Sequence, residues 1–127
     1  MKVDHIAMYV SDIESAKAFF VKYFGADAGK KYLNPKTGFR SYFLSFDDGA
    51  KLEIMHRPEC CAKENGLYHY GYAHIAFSVG SKEKVDCLTK QLIHDGHTLV
   101  SAPRITGDGY YESCIAVFDG ILIEITV

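Results

Sequence analysis

No apolar run in this 127-residue chain approaches the ~20 residues that a membrane-crossing helix needs. Charge of one sign is not in excess either. Fourteen Lys and Arg against sixteen Asp and Glu leave a net charge of −2, which removes the basic footprint expected of a nucleic-acid-binding domain. The first residues, Met1-Lys2-Val3-Asp4-His5, pass straight into a strand-like pattern that carries a charge. No signal peptide is expected there. Four cysteines, Cys60, Cys61, Cys87 and Cys114, show no CxxC spacing, and adjacent residues such as Cys60 and Cys61 bridge poorly. Reduced thiols in a cytoplasmic protein are the expectation. Tryptophan is absent, yet nine Tyr and eight Phe supply a core and an aromatic-lined pocket. With 48% hydrophobic and 24% charged residues the composition is that of a globular chain, long enough for one core or two fused half-domains.

The chain repeats itself. His5-Ile6-Ala7 returns as His74-Ile75-Ala76, and Val10 as Val79, at an offset of 69. Later matches keep an offset of 71: Gly25 and Gly96, Gly38 and Gly109, Asp48-Gly49 and Asp119-Gly120, Glu53-Ile54 and Glu124-Ile125. A two-residue insertion in the second helical stretch accounts for the change. An ordered series of this kind identifies two modules of one plan, at about 1–55 and 73–127, joined by a linker at about 56–72.

Each module reads as βαβββ. In the first, a strand over 3–10 is followed by Ser11 and Glu14 in capping-box spacing. Ile13, Ala16, Phe19, Phe20 and Phe24 then recur at helical spacing, and Gly25 stands where a helix C-cap belongs. Strands are expected near 29–33, 40–46 and 50–55, the last two joined by an Asp48-Gly49 turn. In the second, a strand at 73–79 precedes a helix at 82–95 after Ser81, and further strands follow near 98–101, 112–118 and 121–126. The fold class is α+β: tandem βαβββ modules forming a curved mixed sheet around a crevice, with the helices on the outer faces.

Strand alternation sorts the side chains. Ile6, Met8 and Val10 share one face of the first strand, and His5, Ala7 and Tyr9 the other. Leu52 and Ile54 oppose Lys51, Glu53 and Met55. In the second module Ile75, Phe77 and Val79 oppose His74, Ala76 and Ser78, while Ile121, Ile123 and Ile125 oppose Leu122, Glu124 and Thr126. The aliphatic rows suit the helix-covered side, which turns His5, Glu53, His74 and Glu124 toward the crevice. Two imidazoles and two carboxylates there form a ligand set for one divalent ion, with Zn, Ni, Co, Mn and Fe all compatible.

The double βαβββ plan, with His5 and His74 opening the halves and Glu53 and Glu124 closing them, resembles the vicinal oxygen chelate superfamily. Glyoxalase I, fosfomycin-resistance proteins, methylmalonyl-CoA epimerase, extradiol dioxygenases and bleomycin-resistance proteins belong to it. Gly107-Asp108-Gly109-Tyr110-Tyr111-Glu112-Ser113, with Phe118-Asp119-Gly120 and Ile123-Glu124-Ile125, is similar to small glyoxalase I-like proteins. The resemblance implies a metal-dependent lyase or isomerase. Its ion would chelate adjacent oxygens of a small-molecule substrate and stabilise an enediolate, with Glu53 or Glu124 as the base. It also implies a homodimer. Met8 and Tyr9 stand where glutathione-using members place an Arg. A binding or resistance protein without turnover, or an epimerase or dioxygenase, is the alternative of the same fold. Arg40 and Tyr42, at the start of a strand expected to look inward, with Arg57, Tyr110 and Tyr111, are candidates for substrate contact. His56, His69, His94 and His97 lack repeat partners and read as surface or linker residues; Cys114 reads as core.

Overall fold

The computed structural model describes residues 4–47, 49–60, 72–107 and 109–127, in two compact units divided at Lys63 and Glu64. Most of the expected linker, residues 61–71 with His69, lies outside the described residues, as does Asp48 of the expected turn.

In the first unit, β1 (His5–Tyr9) leads into α1 (Ile13–Phe24), followed by β2 (Asp27–Ala28), β3 (Tyr32–Leu33), β4 (Arg40–Ser45) and β5 (Lys51–His56). The sheet order is β1-β5-β4-β2, with β3 also on β4; β1 runs parallel to β5, and the other pairings are antiparallel. The helix is capped by Asp12, whose carboxylate accepts the Glu14 and Ser15 N–H groups at 3.0 Å, so the cap stands one residue beyond the expected Ser11. Gly25 closes it in the left-handed region, at φ 63°, where a Cβ is disfavoured. Ile13, Ala16, Phe19 and Phe20 of α1 are buried, as are Leu44, Leu52 and Ile54 of β4 and β5, against which the helix packs. In place of the single strand expected at 29–33 there are two short pieces, β2 and β3, with residues 29–31 between them.

The second unit repeats this plan with β6 (Ile75–Ser78), α2 (Lys82–His94), β7 (Thr98–Ile105), β8 (Tyr111–Ala116) and β9 (Leu122–Thr126), and a 3-10 turn at Phe118–Gly120. The order β6-β9-β8-β7 again has its first pair parallel and the rest antiparallel. Both sheets are thus mixed, and the α+β class holds. Ser81, 69 residues after Asp12, caps α2 through the Lys84 N–H. Val85, Leu92, Ile115, Ile123 and Ile125 form the core, joined by a buried polar chain. Thr89 Oγ1 donates to the Val85 carbonyl at 2.6 Å, so the Ser113 hydroxyl, also at 2.6 Å, donates to Thr89. β7 is twice the expected length. Its register shifts between Leu99 and Ser101 and again before Arg104, around Pro103, which an edge strand accommodates because its N–H side need not pair. β8 stops at Ala116, two residues short of the expected strand, because Phe118–Gly120 turns with Asp119 at φ 54°.

Candidate metal centre

The parallel strand pair of each unit sets one His and one Glu on the same face in the same relation. Ala7 is registered with Glu53, and Ala76 with Glu124. Each His precedes its Ala by two residues, which keeps it on the Ala face in an extended chain. His5 is therefore diagonal to Glu53, and His74 diagonal to Glu124. The opposite faces carry the buried Leu52 and Ile54, Ile123 and Ile125.

In the second unit the diagonal closes. His74 Nε2 lies 3.1 Å from Glu124 Oε2, with the His side chain 41% and the Glu side chain 20% exposed. At 3.1 Å the contact has the length of an ordinary hydrogen bond, and it shows that both side chains reach one point on that face. Imidazole nitrogen with carboxylate oxygen is also the donor chemistry such ions take. In the first unit His5 is held differently: Nδ1 is 3.0 Å from Asp4 Oδ2, and its ring stands edge-on to Phe43 with centroids 5.3 Å apart. Glu53 is half-buried, and Phe43 is its register partner on β4. The equivalent partner of Glu124 is Cys114, which is buried, as expected. Burial, and after it the Glu124 and Glu112 carboxylates, push the Cys114 thiol up from its ordinary range. Among the described residues no three His, Cys, Asp or Glu side chains gather as a metal-binding group.

The five candidates for substrate contact separate by face. Tyr42 is 7% exposed on the helix side of β4, where its hydroxyl donates to Glu14 Oε1 at 3.0 Å and accepts from Lys17 Nζ at 3.3 Å. Tyr111 likewise donates to Asp86 of α2 at 2.7 Å, a bond that, with burial, raises its hydroxyl above the ordinary range. Arg40 shares the Tyr42 face, and its Nε is enclosed. Tyr42 and Tyr111 thus occupy the helix-covered faces and Arg40 shares the Tyr42 face, a correction to the inward orientation expected of Arg40 and Tyr42. Arg57 and Tyr110 have the opposite parity, that of Glu53 and of Cys114. Arg57 is exposed over the Phe39 ring at 5.5 Å, and Tyr110 is exposed just before β8. His56 departs from the surface reading: it is half-buried in β5, with Nδ1 2.9 Å from the Val10 carbonyl. Asp4 and Phe43 were not singled out in the sequence, although Asp4 is the polar residue next to His5.

Two units of one mixed-sheet plan, each presenting a His–Glu pair, define a tandem βαβββ protein of the vicinal oxygen chelate type. Residues 2–125 match the family model of the Glyoxalase/Bleomycin resistance protein/Dioxygenase superfamily, and the chain belongs to that superfamily. Of its curated relatives in Bacillus subtilis (strain 168), the uncharacterized protein YqjT is 30% identical over 130 residues, covering 95% of this chain and 94% of that protein. The uncharacterized protein YwkD is 29% identical over 82 residues, which are 65% of this chain and 64%, just under two thirds, of YwkD. Among solved structures, the fosfomycin resistance protein FosX of Listeria monocytogenes, complexed with Mn(II) and sulfate, aligns with a TM-score of 0.75. The alignment covers 98% of this chain and 90% of FosX at 21% identity, which is a likeness of fold.

Proposed function

We propose that this protein is a metal-dependent lyase or isomerase of glyoxalase type. It takes one divalent ion through His5, Glu53, His74 and Glu124 and acts as a homodimer in the cytoplasm. The observation that carries this reading is the 3.1 Å contact of His74 with Glu124, set on a register that the first unit repeats for His5 and Glu53. The fold shared with FosX, a structure that holds Mn(II), adds support for an ion of this class. When bound, the ion supplies Lewis acidity toward two adjacent substrate oxygens. The chain's own residues do the rest. Glu53 and Glu124 are the carboxylates available to take a proton from carbon and return it. Both are partly buried, which shields that transfer from bulk water. Arg57 and Tyr110, exposed and of the same strand parity, are the groups for holding the remainder of the substrate. The substrate class is a small α-hydroxycarbonyl or hemithioacetal.

Metal analysis of purified protein tests the ligand set. Wild type is expected to carry one divalent ion per site. His5→Ala and His74→Ala lose it while keeping wild-type circular dichroism, since the buried Leu52 and Ile54 of one unit and Ile123 and Ile125 of the other are untouched. Stoichiometric metal in both variants overturns the assignment. Turnover is read as deuterium exchange at the substrate carbon, which Glu53→Gln or Glu124→Gln is expected to abolish with substrate still bound. A wild type that exchanges none of these substrates, yet binds a larger compound tightly, is a binding protein instead.

A further inference from the structure

The two histidines are not held alike. His74 turns Nε2 toward Glu124 and is preceded by Ala73, which offers no side-chain acceptor. His5 engages through its other nitrogen, with Nδ1 3.0 Å from the Asp4 carboxylate. An ionised carboxylate only accepts hydrogen bonds, so the proton of this contact sits on Nδ1. In a neutral ring that leaves Nε2 bare, with a free lone pair. Asp4 is itself fixed: the Lys51 N–H donates to its carbonyl at 2.9 Å, tying its backbone to β5 one residue before the β1–β5 register begins. Phe43 meets the His5 ring edge-on at 85°, which limits rotation of the imidazole. The Asp4 side chain is 75% exposed, so the contact adds little to stability. Its consequence is the choice of tautomer and ring orientation.

We propose that Asp4 is a positioning residue that locks His5 in the Nδ1–H tautomer and so presents Nε2 as the ligating atom of the first unit. This rests on the metal-binding reading above, but its first consequence belongs to the metal-free protein. Nitrogen-15 NMR of the imidazoles at about pH 8.5, where an ordinary histidine is neutral, reads the tautomer directly. His5 is expected with a protonated Nδ1 and a bare Nε2. Asp4→Asn retains an acceptor oxygen and should keep that pattern. Asp4→Ala removes the acceptor and should move His5 to the Nε2–H form, with His74 unchanged in both variants. Cobalt(II) titration of the same proteins supplies the second readout. Asp4→Ala is expected to weaken affinity by roughly 10–100-fold, and Asp4→Asn by much less. A wild-type His5 in the Nε2–H form, or an Asp4→Ala protein that keeps Nδ1–H, overturns the proposal. So does a tautomer switch that leaves cobalt affinity unchanged. A wild type that takes up no cobalt at all overturns the metal-binding reading instead, and the NMR result then decides the role of Asp4 by itself.

Discussion

The buried chain from Ser113 through Thr89 to the Val85 carbonyl gives a sharp test of how the second unit supports its Glu124 face. Ser113 precedes Cys114, the register partner of Glu124, so this chain ties the helix to the strand beside the proposed ligand. Thr89 is 1% exposed and Ser113 is fully buried, and both bonds are 2.6 Å long. Because Thr89 uses its one proton on Val85, Ser113 is the donor between the two hydroxyls. Thr89→Val therefore strands a buried O–H at Ser113, at a cost of about 2 kcal/mol. Ser113→Ala removes only a donor to an oxygen that keeps its own bond, costing about 1 kcal/mol. In the double variant no buried hydroxyl is left unpaired, so its cost should fall below that of Thr89→Val alone. Urea unfolding of the four proteins measures the cycle, with a coupling of about 1–2 kcal/mol expected. Single costs that add within about 0.5 kcal/mol would refute the assigned proton direction.

Acid stability should depend on Glu14, whose carboxyl is held down from 4.5 to about 2 by hydrogen bonds from Lys17, Lys31 and Tyr42. A depressed carboxyl contributes stability that is complete above its unfolded value and is lost as pH falls through about 2. Urea midpoints of Glu14→Gln should therefore fall less steeply than wild type between pH 4.5 and about 2, and parallel acid limbs would count against the cluster. Thiol labelling should separate Cys87, which is exposed, from Cys114, which is buried and has a raised pKa. At about pH 8, peptide mass mapping is expected to show Cys87 alkylated at least about tenfold faster, and equal rates would contradict the buried placement of Cys114.

Much of this arrangement was legible because the repeat supplied an internal control. Glu53 alone is a polar residue in a strand, but Glu53 and Glu124 at one offset, behind two aliphatic rows, define a face. The register then pairs both with alanines two residues after the histidines. The helix caps were nearly legible, since Ser11 and Asp12 are both good acceptors and only the backbone decides between them. β4 was not. Both of its faces carry aromatics, Tyr42 on one and Phe43 on the other, so alternation there gives no direction until β5 fixes the register. What places Tyr42 and Tyr111 on the helix side is a polar tip satisfied at the helix surface, by Glu14 and by Asp86. A tyrosine can face a core and still hydrogen-bond at its rim, which periodicity cannot distinguish from an inward-facing substrate contact.

The repeat also conceals a difference that only the side-chain surroundings expose. Its two His–Glu diagonals share one backbone register, yet opposite their carboxylates stand a half-exposed Phe43 and a buried Cys114. Their histidines engage through different nitrogens, one beside Asp4 and the other on Glu124 itself. A duplicated fold thus need not yield two chemically equivalent His–Glu pairs. Glu124 already has the His74 imidazole as a neighbour at 3.1 Å, whereas the imidazole of the first unit is drawn toward Asp4 rather than toward its diagonal carboxylate. That asymmetry gives Glu53 and Glu124 different surroundings, although strand position and residue type are the same for both.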